Sequence, residues 1–134
     1  MAFKLINPGS LGNPRGFSNG VLCEPGGRLL FVAGQIGSDS TQSIVSDDFT
    51  RQFDQALANV IAVVTEAGGR AEHIARMLIF VTNKLEYVEH TRTVGERYRA
   101  HMGKHYPAMA LVEVKSLLDP AAKVEIEAVA VLTP

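Results

Sequence analysis

The stretch KVEIEAVAV, residues 123 to 131, alternates its side chains in the manner of a β-strand and has an unusual second face. Successive side chains of a strand point to opposite faces, so the apolar residues at even positions from Val124 to Ala130 share one face. The other face begins with Glu125 and Glu127 and continues with two valines. A strand that met only water on that face would carry polar residues throughout. We therefore expect both faces to be covered over part of their length.

Hydrophobic periodicity predicts two amphipathic helices, over residues 47–67 and about 85–102. The five apolar residues from Met77 to Val81 are too few for a helix and indicate a strand that is covered on both faces. Strands around the turn Pro25-Gly26-Gly27 are interpreted as a hairpin. With two strands at the C-terminal end, the predicted order is β-β-β-α-β-α-β-β. This is an α+β fold with a mixed sheet and two helices on one face.

Two helices can cover one face of such a sheet but not both. The apolar residues on the second face would then remain exposed, and an apolar patch of several hundred Å² usually marks an interface. The sequence therefore predicts a homo-oligomer that packs its sheets against one another.

Length and charge exclude several classes of protein. A chain of 134 residues has room for one core, so residues 1–134 are predicted to form a single domain. The net charge of −1 does not favour binding to nucleic acid or to an anionic membrane. No apolar run approaches the ~20 residues of a membrane span, and no secretory signal is recognised. We expect a cytoplasmic protein.

Metal-binding and nucleophile patterns are weak in this chain. His101 and His105 are four residues apart, which could present two imidazoles to zinc, but a site needs three or four ligands. Histidines near the C-terminus of a helix also interact favourably with the helix dipole, which explains their position without a metal. No metal is therefore predicted. Cys23 lies in an apolar strand of the predicted hairpin, where an inert buried thiol is expected.

Three motifs together resemble the Rid family, the reactive intermediate deaminases also called YjgF. They are FVAGQIG, the helical segment QALANVIAVVTEAGG and the C-terminal segment YPAMALVEVKSLLDPAAKVEIEAVAV. The resemblance implies a fold like that of the small trimeric chorismate mutases. It also implies a homotrimer with substrate clefts between subunits, and hydrolysis of imines and enamines to a keto acid and ammonia without a cofactor.

The resemblance also assigns residues to the cleft. Glu125 matches the glutamate that positions or activates the attacking water, and Gly34 matches a glycine whose backbone lies beside the substrate. Phe17 stands where a tyrosine is usual, and Thr91 stands near the usual asparagine. The main departure is Met109, because the deaminases of the family have an arginine there to bind the substrate carboxylate.

Replacement of that arginine changes the expected ligand. An arginine offers a planar fork for bidentate carboxylate binding, whereas Met109 supplies only apolar contact. A substrate carboxylate could then be bound only if Arg76 or Arg92 reached the cleft from another direction. Otherwise the expected ligand is larger or less acidic than a small imino acid. The leading hypothesis is a hydrolase for an imine or enamine other than simple 2-aminoacrylate. A non-catalytic trimer that binds a small molecule is the alternative, and a ribonuclease is a third, which the charge disfavours.

Overall fold

The computed structural model describes residues 3–134. Its strands and helices follow the predicted order, apart from a division of the second helix. The strands are β1 (Phe3–Ile6), β2 (Gly20–Cys23), β3 (Arg28–Ile36), β4 (Ile74–Val81), β5 (Ala108–Glu113) and β6 (Val124–Leu132). The helices are α1 (Phe49–Glu66), α2 (Lys84–Glu89) and α3 (Thr91–Met102).

Within the described residues, the main sheet has four strands in the order β3-β6-β4-β5. Strand β6 pairs antiparallel with both β3 and β4, and β4 pairs parallel with β5, so the sheet is mixed. Strands β1 and β2 form a separate antiparallel pair. In the described part of the chain, β3 and β5 are therefore the edges of the main sheet.

Helix α1 covers one face of this sheet. Asp48 caps its N-terminus, because the carboxylate accepts a hydrogen bond from the backbone N–H of Arg51 at 2.9 Å. The chain leaves the helix through Gly68, whose φ of 90° is favourable only for glycine. The buried stripe of α1 packs on β3 and β6 and beside α3; it contains Phe49, Phe53, Ala56, Leu57, Val60 and Val64.

The second predicted helix is wrong in one respect, because the structure divides it at His90. The His90 ring nitrogen Nδ1 lies 2.7 Å from the carbonyl oxygen of Glu86, and the Thr91 hydroxyl donates to the carbonyl of Val88. Such local side-chain bonds compete with the helical ladder. Helices α2 and α3 consequently meet at a bend, and residues 3–134 contain three α-helices.

The predicted hairpin is also wrong, because β2 pairs with β1 while β3 pairs with β6. The turn itself forms, with Gly26 at a φ of 90°. Gly27 is packed against the side chain of Val131, which holds the start of β3 on β6. Cys23 is exposed rather than buried, since β2 lies outside the main sheet.

The alternation predicted for β6 is confirmed. Val124, Ile126, Ala128 and Ala130 are buried under the helices, whereas Glu127 is exposed on the other side. This second side of the main sheet is called the open face here. On strand β3, next to β6, the side chains of Leu29 and Phe31 project from the open face. They remain 63% and 73% exposed.

No helix among residues 3–134 has the length and apolar character needed to cross a membrane.

Candidate functional site

A β-bulge places Gly34 against Glu125. Between Val32 and Gln35, β3 has one residue more than the facing segment of β6, so Ala33 and Gly34 together stand opposite Glu127. A Cβ atom at Gly34 would lie 2.7 Å from the Glu125 carboxyl carbon. Only a residue without a side chain leaves room for the carboxylate here, which explains the glycine.

The Glu125 carboxylate has no assigned partner. It is half-buried between Ile36 of β3 and Phe80 of β4, and it makes no ion pair or side-chain hydrogen bond within residues 3–134. By contrast, Glu86 binds Lys123 at 2.8 Å, and Glu113 accepts a hydrogen bond from the backbone N–H of Lys84. The Glu125 oxygens are therefore free to contact a water molecule or a ligand.

A second feature is a cavity of about 340 Å³ between α3 and the start of β5, called the Met109 cavity here. It lies on the helix side of the sheet. Its walls are mainly apolar and aromatic, with two arginines at the rim. The lining residues are Arg15, Gly16, Phe53, Ile79, Tyr87, Thr91, Val94, Gly95, Tyr98, Arg99, Tyr106 and Met109.

Two stacked tyrosines form one wall of the Met109 cavity. The rings of Tyr98 and Tyr106 lie 5.2 Å apart with an interplanar angle of 8°. The Tyr98 hydroxyl donates to the carbonyl of His105 at 2.7 Å, and burial raises the pKa of the Tyr98 phenol. The phenol therefore stays protonated at neutral pH, and its hydrogen bond fixes the wall.

The loop before β2 closes the cavity from the other side. Ser18 is buried, its backbone N–H donates to the carbonyl of Pro107 at 2.9 Å, and its hydroxyl donates to the carbonyl of Tyr106. These bonds bring Arg15 and Gly16 to the cavity. Phe17, one residue before Ser18, is 37% exposed and is outside the lining.

The residues predicted for the cleft fall into two groups. Gly34 and Glu125 meet on the open face, and Thr91 and Met109 share the Met109 cavity. Met109 pairs with Met77, whose side chain is buried under the helices, so Met109 and Glu125 project from opposite faces of the sheet. Within one chain these two groups form separate sites.

Arg76 lies apart from both groups. It is exposed on the open face beside Glu127 and Val129, at a small cavity of about 20 Å³. Arg92, the other candidate for binding a carboxylate, is exposed on α3 and lies 3.4 Å from Glu96. Its role, and that of Arg76, stays a prediction.

The two histidines considered as metal ligands are bound to protein groups. His101 Nε2 lies 2.7 Å from the carboxylate of Asp54, and His105 Nε2 lies 2.7 Å from the carbonyl of Ile74. Arg97 also donates to Asp54, at 2.9 Å. Within residues 3–134, no three His, Cys, Asp or Glu side chains are grouped in a way that could hold a metal ion.

Sequence reasoning missed the arginines of the Met109 cavity. Thr91, Gly95 and Arg99 are successive i, i+4 positions of α3, so Arg99 lies on the side of the helix that faces the cavity. Tyr87 and Tyr98 also line the cavity. Arg15 carries no periodic signal, because a loop delivers it.

Comparisons with known proteins identify the family. The family model described as Endoribonuclease L-PSP matches residues 13–132. The 2-iminobutanoate/2-iminopropanoate deaminase of Salmonella typhimurium is 34% identical over 108 residues, which cover 78% of this chain and 80% of that protein.

Two solved structures share the fold. The Rid family protein YyfB from Yersinia pestis superposes with a TM-score of 0.87 at 29% identity, covering 98% of this chain and 100% of that one. E. coli TdcF with bound serine gives a TM-score of 0.70 at 29% identity, covering 95% and 94%. The chain therefore belongs to the Endoribonuclease L-PSP family, that is, the Rid or YjgF family indicated by its motifs.

Proposed function

We propose that this protein is a Rid-type hydrolase that releases ammonia from an imine or enamine other than simple 2-aminoacrylate. Support comes from deaminase relatives that cover most of the chain. The single observation that carries the proposal is the free, half-buried carboxylate of Glu125 against the glycine backbone at Gly34. Such a carboxylate is suited to act as a general base toward water.

The reaction needs only the Glu125 carboxylate and water. Glu125 takes a proton from the water as the water oxygen bonds to the imine carbon, and it passes this proton to the imine nitrogen, which receives the electron pair of the C=N π bond. Glu125 then carries the hydroxyl proton of the resulting amino alcohol to the nitrogen, so that the C–N bond breaks with its electron pair on nitrogen and the C=O bond forms. The products are a keto compound and ammonia. Gly34 leaves the space in which the reacting carbon can approach the carboxylate.

The site is proposed to be completed by a second copy of the chain. Glu125 and Met109 project from opposite faces of one sheet, so a cleft that contains both must combine two subunits. The exposed Leu29 and Phe31 on edge strand β3 favour such packing, because their burial removes apolar surface from water. The proposed assembly is the homotrimer of the Rid resemblance, with the Met109 cavity of one subunit facing Glu125 of the next.

A panel of freshly generated imines tests the activity. It should include 2-iminopropionate, imino acids with larger apolar side chains and imines without a carboxylate, with ammonia release measured for each. We expect release from a larger imino acid and little from 2-iminopropionate. Ammonia release at the uncatalysed rate for every compound would contradict the proposal.

A non-catalytic trimer that binds a small molecule is the second candidate. The observation that favours it is the apolar side chain of Met109 in the cavity, at the position where the resemblance to the Rid family implies an arginine for the substrate carboxylate. Ligand binding without ammonia release from any imine would support this candidate over the hydrolase.

A further inference from the structure

We propose that Arg15 and Arg99 bind the ligand carboxylate in place of the arginine absent at Met109. The Met109 cavity would thus take an organic anion whose body is aromatic or otherwise large and apolar. This inference rests on the proposed function in treating the cavity as the substrate-binding half of the cleft. Arg15 and Arg99 would determine its specificity.

The lining of the Met109 cavity carries positive charge. Arg15 and Arg99 line the cavity, and no Asp or Glu does. On α3, Arg92 is bound to Glu96 and Arg97 to Asp54, but Arg99 makes no ion pair within residues 3–134. Arg15 makes none in the same part of the chain. Two arginines without ion-pair partners therefore line one cavity, where a carboxylate can accept charge-assisted hydrogen bonds from them.

Gly95 provides the space for the Arg99 guanidinium. A Cβ atom at Gly95 would lie 3.2 Å from Arg99 Nη1, so the arginine folds back along α3 over the glycine. Glycine in a helix interior is less stable than alanine. Its presence within α3 is explained by the path it leaves for Arg99 toward the cavity.

The size and walls of the cavity indicate the body of the ligand. A volume of about 340 Å³ far exceeds that of a three-carbon imino acid. The stacked rings of Tyr98 and Tyr106, together with Tyr87 and Met109, offer flat and polarisable surface to an aromatic or long aliphatic group. We therefore expect the carboxylate of the ligand to bind at Arg15 and Arg99 and its apolar body to pack against the tyrosines.

Calorimetric titration of the intact protein with three probes tests the inference. Phenylacetate has the carboxylate and the ring, 2-phenylethanol lacks the charge, and acetate lacks the ring. We expect phenylacetate to bind at least about tenfold more tightly than either of the others, since a charge-assisted hydrogen bond and ring burial each account for such a factor. Absence of phenylacetate binding, or equal binding of 2-phenylethanol, would overturn the inference.

Variants locate the binding groups. Arg15→Gln and Arg99→Gln should each weaken phenylacetate binding by about tenfold or more, while Arg51→Gln, an exposed arginine of α1 outside the cavity, should have no effect. Gly95→Ala should also weaken binding without lowering Tm, because alanine favours the helix. Unchanged phenylacetate affinity in both Arg15→Gln and Arg99→Gln would exclude these arginines as the anion site.

Glu125→Gln separates this inference from the proposed function. Phenylacetate is not hydrolysed, so its binding should persist in Glu125→Gln even though ammonia release is lost. Arginine-dependent binding without any imine hydrolysis would support the inference and contradict the hydrolase. Imine hydrolysis that is unaffected by both arginine substitutions would support the hydrolase and contradict the inference.

Discussion

The carboxyl carbon of Glu125 lies so close to Gly34 that a side chain at position 34 would come within 2.7 Å of it. This contact joins the bulge of β3 to the polar end of β6. The contact predicts that Gly34→Ala moves the carboxylate and lowers ammonia release by about 100-fold or more, the usual contribution of a positioned general base. The Glu125 side chain is flexible, so the free energy of unfolding should change by only about 0.5 kcal/mol.

Gly37→Ala is the matched control, and its effect should be the reverse. A Cβ atom there would lie 2.7 Å from backbone atoms of the buried residue Gln52, which cannot move aside as a side chain can. We expect a loss of about 1–3 kcal/mol in the free energy of unfolding, measured by urea titration. Equal loss of stability in the two variants would mean that Gly34 is only a packing residue.

Substitution on the open face should prevent assembly. Leu29→Glu places a charge on a face that is proposed to be buried between subunits, and burial of an unpaired charge is costly. Light scattering should find a trimer for the wild-type protein and a monomer for Leu29→Glu. Leu85→Glu is the control, because Leu85 is also 63% exposed but lies on α2. A wild-type protein that remains a monomer at micromolar concentration would contradict the proposed cleft between subunits.

Met109→Arg should increase activity toward a small imino acid. The added guanidinium can donate a charge-assisted hydrogen bond to the carboxylate, so kcat/KM for 2-iminopropionate should rise by about tenfold or more. Met109→Leu keeps the wall apolar and should leave this activity weak. Rapid hydrolysis of 2-iminopropionate by the wild-type protein would show that Met109 does not limit the substrate range.

The pairing of Asp54 with α3 predicts a pH dependence of stability. Burial acts to raise the pKa of the Asp54 carboxyl, but hydrogen bonds from Arg97 and His101 outweigh it and hold this pKa below its ordinary value of 3.8. A carboxyl whose pKa is lower in the folded state stabilises the fold above the unfolded-state pKa and loses that effect in acid. Asp54→Asn should therefore lower Tm at pH 7 and lower it by less at pH 3. An equal effect at both pH values would contradict this assignment.

Features set by local periodicity were predictable from the sequence. The two faces of β6 follow from the alternation of its residues, and the buried stripe of α1 follows from helical spacing. The apolar open face could also be inferred, because two helices cannot cover both sides of a sheet. Leu29 and Phe31 are exposed on that face, although no prediction from the sequence named them.

Features set by contacts between distant segments were not predictable. The pairing of β2 with β1 depends on which strand edges remain free, and the bend at His90 depends on competing side-chain hydrogen bonds. The Met109 cavity joins a loop at Arg15 to α3 and β5, far away along the chain. No pattern within one segment could place Arg15 and Arg99 at the same rim.

The most direct measurement compares ammonia release by Glu125→Gln and Glu127→Gln, using the imine of the panel that the wild-type protein hydrolyses fastest. The two residues lie two positions apart on β6 and undergo the same near-isosteric change, but it is the Glu125 carboxylate that lies against Gly34. We predict that Glu125→Gln lowers the rate by about 100-fold or more while remaining assembled, and that Glu127→Gln keeps most of the activity. Full activity in Glu125→Gln would contradict the central claim that this carboxylate is the general base.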